Sequence, residues 1–112
     1  MPKTKFYSNK ITVINDTLLV SKLTFYTNND KEAFFNWLDQ MGSIEHYKYA
    51  NKEIFLEPVS TDLHDNDLRD MIGLFYRYDM DMKGLKVFLN NENKKWFFDN
   101  KKTYWYKNVF GK

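Results

Sequence analysis

The sequence predicts an α+β fold: a single small domain over residues 1–112, with a four-stranded, mainly antiparallel sheet (ββαββ) and C-terminal helices packed on it. Three observations lead there. Much of the first half alternates apolar and polar side chains in pairs of short segments, two later segments repeat apolar residues at three- and four-residue steps, and the tail clusters aromatics. With 112 residues, 43% hydrophobic and 19% aromatic, the chain is long enough for one core and too short for two comfortable domains.

Each element has its own signal. Ile11, Thr12, Val13 and Ile14 are β-rich, Asn15 and Asp16 make a turn pair, and Leu18 to Tyr26 alternates, with Leu19, Leu23 and Phe25 on one face and Val20 and Tyr26 on the other. These residues predict a first hairpin. Asn28, Asn29 and Asp30 then offer helix caps, Ala33, Phe34, Trp37, Leu38 and Met41 form an apolar stripe, and Gly42 sits where a helix stops. Ile44 to Tyr49 and Glu53 to Glu57 flank Ala50, Asn51 and Lys52, which predicts a second hairpin closed by Pro58, a residue with no N–H for a ladder.

The second half changes period. Asp67 is a candidate cap for a helix on which Leu68, Met71, Ile72, Phe75 and Tyr78 share one side, with Asp70 near the positive end of the dipole. Asp79, Met80 and Asp81 read as a break. A short helix carrying Leu85, Phe88 and Leu89 follows, then the polar link Asn90, Asn91, Glu92 and Asn93, and one or two short helices bearing Trp96, Phe97, Phe98, Tyr104, Trp105, Tyr106, Val109 and Phe110.

Charge is sorted along the chain beneath a formal net charge of +2. From Lys31 to Met82 five basic residues stand against eleven acids, whereas from Lys83 to Lys112 eight lysines stand against Glu92 and Asp99. Such a chain suits electrostatic recognition of a charged macromolecule better than small-molecule processing. The acids Glu57, Asp62, Asp65, Asp67, Asp70, Asp79 and Asp81 are the candidate partner-binding face, because an anionic patch complements the basic grooves of proteins that bind nucleic acid. In the tail, Lys94, Lys95, Lys101, Lys102 and Lys107 with Trp96, Tyr104, Trp105 and Tyr106 can neutralise phosphates and stack bases, and Lys94, Lys95, Trp96, Lys101, Lys102 and Trp105 among them are the alternative nucleic-acid-binding set. Arginine, which reads guanine edges, is absent from that segment, so such binding would be non-specific.

Catalytic and metal patterns are poor. Without cysteine there is no disulfide, thiol nucleophile or Cys-based zinc site, and a reducing compartment is allowed. The two histidines, His46 and His64, fall on different predicted elements, so a small hydrolase would require one of them in a cleft with a carboxylate. Asp62, His64, Asp65 and Asp67 offer donors for a hard cation but read first as an acidic loop and helix cap. The run from Asp79 begins like a calcium loop and then fails, with Lys83 at the third ligand and Asn90 at the twelfth position. The four glycines are isolated, which excludes a phosphate loop. No cofactor, metal or catalytic residue is expected. The longest apolar runs are a few residues and Met1 to Lys10 has no signal-peptide core, so a cytoplasmic protein without membrane association is expected.

The stretch from Leu68 to Leu89 (LRDMIGLFYRYDMDMKGLKVFL), followed by Asn93 to Phe98 and Tyr104 to Lys107, resembles the C-terminal half of small bacterial proteins encoded beside polymorphic toxins. In size and α+β layout the chain is similar to the immunity proteins of contact-dependent growth inhibition systems. That resemblance implies a non-enzymatic cytoplasmic inhibitor, which binds the C-terminal toxin domain of one cognate partner, often a nuclease, and occludes its active site. One departure is overall charge, because inhibitors of basic nucleases tend to be acidic and this chain is slightly basic.

Overall fold

Turns and caps fix where each element begins. In the computed structural model, which describes residues 18–111, the order is β1 (Leu19–Lys22), α1 (Asn28–Gln40), β2 (Ile44–Ala50), β3 (Glu53–Pro58), α2 (Asp65–Arg77), a 3-10 helix (Lys83–Phe88), a π-helical turn (Lys95–Asp99) and α3 (Tyr106–Phe110). Asn51 and Lys52 take φ of 54° and 63°, the left-handed pair of a two-residue type I′ turn, and so join β2 to β3 as a tight hairpin. Thr27 caps α1: its hydroxyl accepts from the Asp30 amide at 3.0 Å, one residue ahead of the caps the sequence offered.

The sheet corrects the predicted topology. Among the described residues it has three antiparallel strands in the order β1-β3-β2, in place of the four-stranded ββαββ arrangement. The expected strand Ile11 to Ile14 lies outside the described residues. β1 takes its partner from far along the chain, with Leu19 opposite Leu56 and Lys22 opposite Glu53. Because β1 and β2 both run antiparallel to β3, they run parallel to each other, with α1 as the crossover and β3 inserted between them. The strand predicted to reach Tyr26 stops at Lys22, since beyond Leu23 the chain turns Phe25 onto the rings of Phe34, Phe35, Tyr49 and Tyr78.

Packing follows the apolar stripes. Phe34 and Leu38 of α1, Ile54 and Leu56 of β3 and Leu68, Met71, Ile72, Leu74 and Phe75 of α2 join one buried cluster with Leu19 and Leu23. Each such side chain contributes about 1.5–3 kcal/mol by leaving water. Leu85 and Phe88, three residues apart, lie on one side of the 3-10 helix and enter the same cluster. Asn93 ties down the link that follows: its amide donates to the Phe88 carbonyl at 2.7 Å and its Oδ1 accepts from the Asn90 amide at 2.9 Å. That knot returns the tail to the body, where Phe97, Trp105 and Val109 are buried.

α2 ends in a left-handed residue. Asp79, at φ 55°, lets its own amide donate to the Tyr76 carbonyl at 3.2 Å and the Met80 amide donate to Phe75 at 2.9 Å, the paired bonds that close a helix C-terminus. Its N-terminus is less well furnished. His64 occupies the cap position without a side-chain hydrogen bond, and Asp67, the predicted cap, lies inside the first turn beside Asp65, where both complement the helix dipole. No helix among the described residues is long and apolar enough to cross a membrane.

Candidate functional site

The acids predicted to share one face are dispersed by the fold. Glu57 is fully buried, because the last three residues of β3 are covered on both faces, and its Oε1 lies 3.0 Å from Nδ1 of His46 on β2. It is withdrawn from the partner-binding set. Asp62 and Asp65 stand at the N-terminal end of α2, and Asp79 and Asp81 beyond its C-terminal end. The 13 residues between separate the two groups by about 20 Å. Asp67 is half-buried in the first turn, and Asp70 faces α1, where its Oδ1 accepts from the Trp37 indole at 3.2 Å.

The N-terminal group is the less neutralised. Asp62, Leu63, His64, Asp65 and Asn66 face Asn90 and Glu92 across an open cleft of about 620 Å³, so among the described residues three carboxylates line it and no lysine or arginine does. Glu92 was missed from sequence, where it is one of two acids in the basic tail; the Asn90–Asn93 turn, held by two amides donating to Asn90 Oδ1, brings it across. The C-terminal group lines a second cleft of about 460 Å³ with Glu53, but Lys22 shares it and Asp81 Oδ1 already accepts from the Lys83 amide at 3.0 Å.

The tail divides differently. Lys94, Lys95, Lys101 and Lys102 are exposed, while Trp105 is only 7% exposed and its indole donates to the Phe97 carbonyl at 3.0 Å. A ring so held has no free face for a base, and Trp105 is withdrawn from the stacking set. Trp96 is half-buried, packed edge-on against Trp105 with ring centroids 5.9 Å apart and covered by the Arg69 guanidinium at 4.0 Å. The lysines are thus the outer side of a packed aromatic layer.

Among the described residues neither histidine is joined by both a carboxylate and a nucleophile. His46 is held by a carboxylate but lines none of these clefts; His64 lines the acidic one, yet its ring makes no hydrogen bond among the described residues and no hydroxyl or thiol lines that cleft. Among the described residues no group of three or more histidines and carboxylates is arranged to hold a metal ion, so Asp62, His64 and Asp65 are neighbours without being a ligand set.

A third concavity had no counterpart in the sequence reading. Trp37 of α1, Gly73, Tyr76 and Arg77 of α2 and Tyr104 from the tail line a shallow groove of about 560 Å³. Trp37 had been assigned to the core stripe and Tyr104 to the packed tail, but Tyr104 remains 51% exposed and Tyr76 50%. Comparison with known protein families, with curated proteins and with solved structures finds no match to this chain.

Proposed function

We propose that this protein is a non-enzymatic immunity protein, which binds the toxin domain of a polymorphic, contact-dependent growth inhibition toxin and occludes its active site in the cytoplasm of the producing cell. The observation that carries the reading is the cleft at the N-terminal end of α2, where Asp62, Asp65 and Glu92 gather with no lysine or arginine among the described lining residues. A surface of this kind steers association with a basic protein and competes with phosphate for its groove. The nucleic-acid alternative loses weight, since both of its tryptophans are taken up, Trp105 in the core and Trp96 beneath Arg69.

Calorimetric titration with the toxin domain encoded beside it tests this. Binding is expected, with affinity at least about tenfold weaker for the triple variant Asp62→Lys, Asp65→Lys and Glu92→Lys, and with the association rate falling as salt rises. Equal affinity and equal protection of cells by a folded triple variant would remove the acidic cleft from the interface. No binding by the parent, together with retention of single-stranded RNA that is lost in Lys101→Ala and Lys102→Ala, would replace the immunity reading with the alternative.

A further inference from the structure

The groove over Gly73 has the composition of a recognition site and a charge opposite to that of the acidic cleft. One wall is the Trp37 indole, fixed by its hydrogen bond to Asp70, and the other is formed by Tyr76 and Tyr104, packed edge to face with centroids 4.7 Å apart. Trp, Tyr and Arg are the side chains that dominate binding energy at protein interfaces, and here they surround a floor with no side chain. Gly73 is ordinary helix, with no positive φ; a Cβ there would find Trp37 atoms at 3.9 and 4.0 Å and the Tyr104 hydroxyl at 4.0 Å. The groove therefore has room for at least a methyl group against its floor.

Among the described lining residues Arg77 is the one that is formally charged, and it makes no ion pair with a described residue. Neither the Tyr76 nor the Tyr104 hydroxyl makes a hydrogen bond to a described residue, and the Tyr104 phenol is held above its usual pKa, first by burial and then by Tyr76, so it keeps its proton as a donor. Two phenol hydroxyls and one guanidinium thus border an aromatic trough. Their complement is an anion attached to an apolar body.

We propose that this groove docks a protein segment that places an aspartate or glutamate beside an apolar side chain, the apolar group lying between Trp37 and Tyr76 over Gly73 and the carboxylate meeting Arg77. It rests on the reading above only in taking the occupant to be a protein. A partner engaging both sites presents cations to Asp62, Asp65 and Glu92 and an acidic, apolar projection to the groove, a pattern that fixes orientation as well as affinity.

The test titrates the full-length, isotopically labelled protein with the capped peptide Gly-Glu-Phe-Gly, its Gln and Lys counterparts and AMP, following the Trp37 indole and Gly73 amide by NMR. The Glu peptide is expected to shift both signals and to bind at least threefold more tightly than the Gln peptide, with the Lys peptide weaker still. Arg77→Glu should abolish that preference. Gly73→Ala separates damage to the fold from occupation of the groove: it is expected to raise the melting temperature, because alanine favours helix, and to weaken the Glu peptide at least threefold. Absence of shifts at Trp37 and Gly73, equal binding of the Gln or Lys peptide, or groove shifts from AMP with none from the peptide would each overturn the proposal. Reversing Asp62 and Asp65 should leave these titrations unchanged, so the two surfaces fail or stand separately.

Discussion

Tyr47 of β2 donates its hydroxyl to Oδ1 of Asp39 on α1 at 3.2 Å, and burial, reinforced by that carboxylate, pushes its pKa up to about 12. Below pH 10 both the folded and unfolded chains keep the phenolic proton, and the contribution to stability is intact. As pH rises from 10 towards 12 the unfolded chain loses the proton while the folded chain holds it, so stability falls across that window. Melting temperatures measured between pH 9 and 12 should therefore slope downward, and Tyr47→Phe should flatten the slope while costing about 0.5–1.5 kcal/mol at neutral pH for the lost hydrogen bond. An unchanged slope in that variant would assign the effect to another group. At this scale the sequence is least legible. Glu57 and Asp62 look alike in a charge count, yet one is buried against His46 and the other lines a solvent cleft. Trp105 and Tyr104 are neighbours in an aromatic run, yet the first is core and the second lines the groove. Composition records which groups exist; only tertiary closure decides which of them meet water.

Helices and the hairpin were more readable, because their signals are local. The α2 stripe names Leu68, Met71, Ile72 and Phe75, all buried, and the Asn51-Lys52 turn closes β2 on β3 as its position suggests. Ends were harder to place, since a cap depends on backbone angles that residue type only biases: Thr27 and His64 precede the helices that Asn28 and Asp67 were expected to start. The left-handed Asp79 at the end of α2 offers a direct check. An L-residue there bears a steric cost that glycine avoids, so Asp79→Gly should stabilise the protein by about 0.5–1 kcal/mol and raise its melting temperature by about 2–5 °C. A fall would mean that the Asp79 side chain holds more stability than its backbone strain costs.

Across the whole molecule, the four-stranded expectation came from assuming that neighbours in sequence pair in space. β2 and β3 obey that rule through a two-residue turn; β1 meets β3 only after α1 has carried the chain back. The same assumption made the acidic run one surface, although α2 divides it into two. The placement of β3 also sets an order of events. Closing the hairpin costs little chain entropy, whereas seating Leu19 against Leu56 closes a long loop, so the hairpin should nucleate folding and β1 should dock late. Stopped-flow kinetics should find that Lys52→Gly, which eases the turn, mainly speeds folding, while Leu19→Ala mainly speeds unfolding. The reverse assignment would place β1 in the nucleus. On a ribosome, strand β3 would then spend an interval with one ladder satisfied and the other edge open, and that interval is when this chain is most exposed to pairing with a strand that is not its own.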